Sequence, residues 1–413
     1  MNKTSRWIPA ALAPAIIALG VVAIPIQANA IDLPDVTPQE LMLLMESNME
    51  SNVTLEFSGT VIKTTDLGLP ALNFSSMMNE EMVAEMEENM PPEMADFVPQ
   101  IIESNTLTQA LELIAGTHKI RVYVGGEDQL RVQVLDPMSQ RDLILNGQEL
   151  WIYDAKTATA MNTQLNYEVD QDTRSELESQ LAKAESELNQ YAQSIALDLS
   201  SPAAVADYIM DQVTESTNVT VGVDKMVAGR GAYELIVEPK AQESLVARSV
   251  ISIDAENGMP LKAEVFSKEQ VSAAISVGFE SISFAPVADS LFEFTPPAGT
   301  TVEDLVIPEL PKMDRQLTES DLEALKAELE AEYADQPKPQ MIGEGWTSVV
   351  YLPAMPQDVP MELMGTELFG DMFDTVPGGK VFSTPLVNVL ILDSGEVYAG
   401  AVTVDYLVSV SQN

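Results

Sequence analysis

The sequence predicts an α+β protein built mainly from antiparallel β-strands, with helices near its start and middle and a small C-terminal αβ unit. Apolar and polar residues alternate over short stretches that end at glycine or asparagine turns, which is typical of antiparallel strands with one buried face. Capping residues followed by proline mark the beginnings of two helices. The 413-residue chain has no cysteine, so its cores must form without disulfides.

Residues 1–30 have the layout of a cleavable secretory signal. Lys3 and Arg6 precede the apolar stretch "WIPAALAPAIIALGVVAIPI", and Ala28 and Ala30 form an A-x-A exit in "QANA". We expect cleavage near Ala30 and an exported, extracytoplasmic protein. The alternative is a retained membrane anchor, which the prolines within the stretch disfavour.

The charge of the chain limits its partners. It carries 64 acidic and 21 basic residues, a formal net charge of −43. Such a surface repels nucleic acid and anionic lipid headgroups, so we expect no nucleic-acid partner.

The first helix and strand follow the signal. Thr37 is a capping residue, Pro38 suits a first helical turn, and Glu40 completes a capping box. The helix is expected to end near Asn52. In the next stretch, "VTLEFSGTVIKTTDL", the positions Leu55, Phe57, Gly59 and Val61 alternate with polar residues and predict a strand.

An acidic, methionine-rich insertion occupies residues 73–106. Its methionines recur in steps of four, which places them on one stripe of a helix; they are Met78, Met82, Met86, Met90 and Met94. One interpretation is a helical hairpin packed on the core, and another is a pliable lid over an apolar cavity. A third is a Cu(I) site, because thioethers are soft ligands.

Strands are predicted from residue 116 to about residue 167. The stretch "GTHKIRVYVGGEDQLRVQVLD" predicts a hairpin that turns at Gly125-Gly126. The next residues predict two more hairpins, turning at Asn146-Gly147 and near Ala155-Lys156.

The remaining chain divides into further segments. Residues 168–200 predict a long acidic helix, a second helix begins at Ser201-Pro202, and residues 218–295 return to strands. A charged linker helix is expected at 311–340. The predicted domains are residues 31–310 and 341–413, the latter with strands in "GEGWTSVVYL", "KVFST", "LVNVLILDSG" and "EVYAGAVTV" and one helix near 361–373.

No motif indicates an enzyme or a bound cofactor. His118 is the single histidine, with no cysteine or G-x-S-x-G motif to form a nucleophile–base pair. We interpret it as a surface or strand-edge residue. Phosphate-binding, dinucleotide-binding, H-E-x-x-H and calcium-loop motifs do not occur, so no metal site is assigned.

Four motifs together resemble the LolA-like outer-membrane lipoprotein carriers and the related RseB (MucB) sigma-E regulatory proteins, in an actinobacterial-type exported form. They are the helix followed by "LEFSGTV", the stretch "GTHKIRVYVGGEDQLRVQV", "LNGQELWIYDAKTATAMNTQ", and "DSLFEFTPPAGTTVED", which resembles the closing strand of the family. The order and spacing match over residues 35–300, apart from insertions at 73–106 and 168–200. RseB also has a second, smaller C-terminal domain.

The resemblance implies an incomplete antiparallel β-barrel, a half-barrel, with helices over its mouth and an apolar cavity. Candidate cavity residues are Leu55, Phe57, Ile120, Val122, Val124, Leu130, Val132, Val134, Trp151 and Tyr153. The five methionines named above are the lid candidates. The carriers have an arginine followed by proline at the end of the strand in "GTHKIRVYV"; Val124 and Gly125 stand there in this chain.

The resemblance implies a non-enzymatic protein that binds lipoprotein acyl chains or other lipids. The alternative is an RseB-like sensor that binds a membrane-bound anti-sigma factor or another envelope protein. A remote alternative is a Cu(I)-binding export protein that uses the methionine stripe.

Overall fold

The computed structural model describes residues 33–50, 56–68, 116–136, 139–165, 201–305, 339–353 and 373–412, with residues 186, 189, 190, 192–194 and 198. The predicted signal, Leu55 and the methionine stripe lie outside the described residues, as do residues 311–338 of the predicted linker helix and 361–372 of the predicted C-terminal helix. Gln340 and Phe373, at the ends of those two predicted helices, are strand residues instead. Within the predicted helix at 168–200, residues 186, 189, 190 and 192–194 are helical.

The described chain is mostly β-structure with few helices. The helices are α1 (Pro38–Glu50), α2 (Pro202–Ser216) and α3 (Val404–Ser411), with 3-10 turns at Asp289–Leu291 and Gly345–Thr347. The strands of the larger sheet are β1 (Phe57–Thr65), β2 (Gly116–Val124), β3 (Gln129–Asp136), β4 (Ser139–Asn146), β5 (Glu149–Asp154), β6 (Thr159–Gln164), β7 (Thr217–Val221), β8 (Lys225–Val227), β9 (Arg230–Pro239), β10 (Val246–Asp254), β11 (Pro260–Ser267), β12 (Ala273–Ser283) and β13 (Thr301–Asp304). Those of the smaller sheet are β14 (Gln340–Ile342), β15 (Val349–Leu352), β16 (Phe373–Val376), β17 (Gly379–Ser383), β18 (Asn388–Leu392) and β19 (Val397–Gly400).

The predicted starts of α1 and α2 are confirmed by their capping bonds. The Thr37 backbone N–H donates to Glu40 Oε2 at 2.7 Å, and the Glu40 N–H donates to Thr37 Oγ1 at 3.2 Å. These are the two reciprocal bonds of a capping box. Ser201 Oγ accepts from the Ala204 N–H at 3.3 Å, and Pro202 begins the helix.

The larger sheet is open. Its strand order is β13-β6-β5-β4-β3-β2-β1-β12-β11-β10-β9-β7, with β8 paired to β9. Within the described residues its edge strands, β13 and β7, do not pair with each other. The neighbours are antiparallel except β13, which runs parallel to β6. Of the predicted closing strand at 289–304, only the last four residues form a strand; the rest is a 3-10 turn and irregular backbone.

Helices α1 and α2 lie together at one end of this sheet. Leu41 of α1 is fully buried against Tyr233, Leu235 and Ile253 of β9 and β10. Leu235 pairs with Ile251, and this row of paired residues continues across the neighbouring strands to β1 and β2. Because paired residues point to the same side of a sheet, α1 covers the face that also carries Val61 and Ile120. The helices therefore flank that face and leave β2 to β6 beyond them.

The smaller sheet contains the four predicted C-terminal strands and two strands that were not predicted. Its order is β14-β15-β19-β18-β17-β16, and all its neighbours are antiparallel. The expectation that "EVYAGAVTV" is strand throughout is wrong at its end, because β19 stops at Gly400 and α3 begins at Val404. Leu407 of α3 is fully buried in this core beside Val349 and Leu390.

The two sheets touch through specific contacts. The Leu245 N–H donates to the Ala401 carbonyl at 2.8 Å, and Trp346 Nε1 donates to Thr217 Oγ1 at 2.8 Å. Leu386 packs with Val246 and other residues of the larger sheet. The junction thus combines hydrogen bonds with a shared apolar cluster.

Candidate ligand-binding face

One face of β1–β6 is lined by apolar side chains in three successive rungs across the strands. We call it the apolar face. The middle rung is Gly59, Val122, Val132, Leu143, Ile152 and Met161, and the outer rung is Phe57, Val124, Leu130, Leu145 and Leu150, ending at Thr163. The inner rung is apolar on β1–β3, with Val61, Ile120 and Val134, and polar on β4–β6, with Arg141, Asp154 and Thr159. Residues paired across neighbouring strands point to the same side of a sheet. Seven sequence-predicted candidates therefore share one surface.

These seven are Phe57, Ile120, Val122, Val124, Leu130, Val132 and Val134, and they differ little in burial. Val134 is buried, and the other six are half-buried. Leu143, in the middle rung, is 37% exposed. The apolar face therefore presents partly open hydrocarbon rather than a closed core, which is the property a surface for acyl chains needs.

A glycine and two phenylalanines shape the outer end of the apolar face. The rings of Phe57 and Phe279 meet edge to face with centroids 6.0 Å apart. A Cβ on Gly59 would lie 2.8 Å from the Phe279 ring, closer than side-chain atoms normally approach. Because Gly59 has no side chain, the Phe279 ring can approach β1 closely at this position.

Trp151 and Tyr153 do not belong with the other candidates. Trp151 pairs with Ile144 and Tyr153 with Asp142, both on the opposite face of the sheet. Each ring lies 5.3 Å from the ring of Phe294, centroid to centroid. One cavity wall cannot contain both sets, because alternate residues of a strand point to opposite faces. On β5 it is Leu150 and Ile152 that lie on the apolar face.

The segment 289–305 crosses the opposite face and ends in β13. Phe292 is 1% exposed and sits against Gly125, where a Cβ would come within 2.4 Å of the ring. Gly125, which stands where the carriers have the proline after their arginine, thus receives an aromatic ring from this segment. Glycine is required at position 125 because any side chain there would overlap the Phe292 ring.

A buried carboxylate holds this segment in place. Asp142 is 2% exposed and accepts hydrogen bonds from Arg131 Nε at 2.9 Å, Gln133 Nε2 at 2.7 Å and Gln140 Nε2 at 2.7 Å. Arg131 Nη1 in turn donates to the Leu291 carbonyl at 2.9 Å. The network satisfies a charge that would otherwise be costly to bury, and it ties β3 and β4 to the 289–305 segment.

Lys63, a cationic residue that belongs to no sequence motif, lies at the inner edge of the apolar face. Lys63 continues the alternation of Phe57, Gly59 and Val61 on β1, and it lies opposite His118 on β2 and Val277 on β12. Burial lowers the pKa of Lys63 to about 8. Period-2 alternation alone would have placed this lysine on the apolar face. His118 is half-buried beside it rather than at the surface.

No group of three or more histidine, cysteine, aspartate or glutamate side chains is placed to hold a metal ion in the described part of the chain. None of the described helices is long and apolar enough to cross a bilayer.

Comparison with known proteins gives matches among solved structures. The chain is similar to MucB in complex with periplasmic MucA, at 12% identity and a TM-score of 0.36, over 90% of this chain and 96% of MucB. The MucA/MucB complex of Pseudomonas aeruginosa aligns at 11% identity and a TM-score of 0.36, over 90% and 96% of the two chains. A LolA superfamily protein of Nitrosomonas europaea aligns at 10% identity and a TM-score of 0.19, over 63% of this chain and 99% of that protein.

The structural neighbours include MucB and LolA-superfamily proteins. No protein-family model matches the chain. No curated protein matches it either.

Proposed function

We propose that this is a non-enzymatic, extracytoplasmic binding protein that holds lipoprotein acyl chains or other lipids against its apolar face. In this proposal the open sheet acts as a half-barrel, with the apolar face as its concave wall and α1 and α2 at its mouth. The observation that carries the proposal is the apolar face itself, whose middle and outer rungs carry mostly half-buried hydrocarbon across β1–β5.

The energetics of such binding are favourable. Burial of one methylene contributes about 0.8 kcal/mol, so a chain of fourteen carbons laid on the face would gain roughly 10 kcal/mol before the costs of ordering and association. The six strands span roughly 24 Å at about 4.8 Å per strand spacing, which gives an extended chain a continuous surface. Binding of this kind needs no catalytic residue.

Native mass spectrometry of the protein purified from its host tests this function. We expect a population with extra mass that dissociates as lipid or lipoprotein on activation. A protein that carries no lipid, and that also takes up none from added fatty acid, would contradict the proposal.

A second candidate is an RseB-like sensor that binds a membrane-bound envelope protein such as an anti-sigma factor. The smaller sheet favours it. Its edge strand β14 is exposed along its length, including Met341 at 50% and Ile342 at 36%, and an exposed edge can accept another strand. We therefore propose that the smaller sheet belongs to a separate C-terminal domain with a recognition role.

Substitution of the edge tests the second candidate. The double substitution Met341→Lys and Ile342→Lys places two charges on the edge strand, which disfavours pairing with another strand. It leaves the residues of the apolar face unchanged. Reduced recovery of an envelope partner in a pull-down, with lipid content unchanged, is the expected result. Equal recovery from the variant and the native chain would count against a role for this edge.

A further inference from the structure

The middle rung is the row of the apolar face that stays apolar as far as β6. The inner rung turns polar on β4, and the outer rung ends at Thr163. Leu143, at the centre of the middle rung, is 37% exposed. From β2 to β6 the rung carries Val122, Val132, Leu143, Ile152 and Met161. A single extended chain laid across these strands therefore has one continuous row of hydrocarbon to lie on.

An aromatic ring ends this row at β1. The β1 member of the middle rung is Gly59, which has no side chain. The ring of Phe279, from the neighbouring strand β12, occupies that space, because a Cβ on Gly59 would lie 2.8 Å from it. A ligand chain that runs along the middle rung therefore meets the Phe279 ring directly after Val122.

Phe279 is held in place from two sides. Its ring meets that of Phe57 edge to face, with centroids 6.0 Å apart. It also packs against a buried cluster formed by Val227, Ala232 and Leu261. Side chains packed in this way keep one position, so the ring forms a fixed wall at this end of the row.

The other end of the row is polar and open. Met161 pairs with Glu303 of β13, the strand at this edge of the sheet. Glu303 is exposed, as are the other three residues of β13. A polar head group placed here keeps its water, whereas one placed against Phe279 would exchange its hydration for contact with hydrocarbon, which is costly.

We propose that the apolar face takes a single extended alkyl chain along the middle rung, with the methyl end against Phe279 and the head group at the β13 edge. The length of the row then sets the length of the chain. The five strands β2–β6 span about 19 Å at roughly 4.8 Å per spacing, and an extended chain covers this with about sixteen carbons at roughly 1.2 Å per bond. This inference rests on the proposed function and adds a direction and a length limit to it.

A series of ligands that differ only in chain length tests the limit. Lysophosphatidylcholines with saturated chains of ten to twenty carbons share one head group without net charge, and each is used below its critical micelle concentration. Affinity is measured by displacement of the neutral dye phenylnaphthylamine. Each buried methylene strengthens binding roughly fourfold. We therefore expect affinity to rise up to about sixteen carbons and then to level off.

Phe279→Ala should move this limit to longer chains. Loss of the ring opens the space over Gly59, which adds one strand spacing of about 4.8 Å, or about four carbons. We expect the variant to bind the twenty-carbon ligand about tenfold or more tightly than the native protein does, with the affinity for the twelve-carbon ligand nearly unchanged. Phe279→Leu keeps more of the packing and should move the limit by a smaller amount, which provides a second variant if Phe279→Ala does not fold.

Phe382→Ala is the matched control. Phe382 is also half-buried, and its ring lies 5.7 Å from that of Phe373, centroid to centroid, in the smaller sheet. Its removal should leave the length limit where it is in the native protein. A limit that moved equally in Phe382→Ala would show that loosened packing, and not the space over Gly59, is the cause.

A photoreactive chain tests the direction. A sixteen-carbon lysophosphatidylcholine with a diazirine at the end of its chain is bound to the native protein and irradiated, and the labelled peptides are mapped by mass spectrometry. We expect label in β1 and β12, around Gly59 and Phe279. Label concentrated in β13 and the end of β6 would overturn the proposed direction.

The outcomes distinguish this inference from the function on which it rests. Affinity of the native protein that still climbs at twenty carbons would overturn the end wall and leave lipid binding intact. A limit that stays unchanged in folded Phe279→Ala or Phe279→Leu would overturn it as well. Failure of every chain length to displace the dye would overturn the proposed function itself.

Discussion

At the scale of single residues, Gly125 shows how a small side chain decides the packing of a segment far along the chain. Its missing Cβ leaves the space that Phe292 fills. Sequence patterns marked Gly125 as a turn residue beside Gly126, and Phe292 as part of a closing strand. Their contact joins positions far apart in the chain, and no local pattern encodes it.

We predict that Gly125→Ala destabilises the protein. The new methyl group would overlap the Phe292 ring, and overpacking of this kind costs about 1–3 kcal/mol. Urea unfolding measures the change. Because the clash is with one ring, adding Phe292→Leu should recover part of the loss, and strictly additive effects of the two substitutions would show that the two residues do not interact.

Lys63 gives a pH-dependent prediction. Its pKa is about 8 in the folded protein and near its ordinary 10.5 in the unfolded chain. Between these values the unfolded chain binds more protons, so this residue makes stability rise with pH, and below about pH 8 its buried charge costs the most. Lys63→Met removes that cost.

The measurement is the difference in unfolding free energy between Lys63→Met and the native protein at pH 7 and at pH 10. We expect the variant to gain most at pH 7 and the gain to shrink at pH 10. Other titrating groups are common to both proteins and cancel in the difference. A gain that is the same at both pH values would exclude burial of Lys63 as its cause.

At the scale of elements, the strand pattern was largely predictable and the choice of face was not. Alternation located β1–β6, and the turns at Asn146-Gly147 and near Ala155 are confirmed. In "ELWIYD" both sets of alternate residues are apolar, because β5 is covered on one side by Phe294 and forms part of the apolar face on the other. When a strand has apolar residues on both faces, its sequence does not show which residues share a face with those of the neighbouring strands. Trp151 and Tyr153 were therefore grouped with candidates that lie on the opposite face of the sheet.

The C-terminal helix was missed for a related reason. α3 spans only two turns, and its sequence "VDYLVSVS" is nearly as compatible with alternation as with a helical stripe. Burial of Leu407 against the smaller sheet stabilises the helix. That packing is tertiary and has no local signature.

The buried network around Asp142 yields an element-scale prediction. Asp142→Ala would leave Arg131 without its buried carboxylate and loosen the hold on the 289–305 segment. Removing one partner of a buried pair costs about 3–5 kcal/mol. We expect a loss of that order in urea unfolding and faster proteolysis within residues 286–300.

A surface pair serves as the control. Glu280 pairs with Lys119 at 2.6 Å, with both side chains substantially exposed. Glu280→Ala should change stability by less than about 1 kcal/mol. If Asp142→Ala were as stable as Glu280→Ala, the Asp142 network would not hold the 289–305 segment in place.

At the scale of the whole molecule, two sheets share one junction while one of them carries the candidate site. The apolar face lies on β1–β6, and the contacts to the smaller sheet come from β7, β10 and β11 and their flanking residues. We propose that lipid binding and protein recognition occupy these two separate parts. The acidic surface then keeps the protein dispersed while the ligand face remains apolar.

The most direct test of the central claim compares neighbouring residues on opposite faces of β2. Val122→Asp puts a carboxylate in the middle rung of the apolar face, and Arg121→Asp puts one on the exposed other side of the same strand. Binding of tetradecanol, an amphiphile without charge, is measured on both folded variants by its displacement of the neutral dye phenylnaphthylamine. We expect Val122→Asp to weaken binding about tenfold or more and Arg121→Asp to leave it nearly unchanged. Normal binding by a folded Val122→Asp variant would contradict the assignment of this face as the lipid-binding wall.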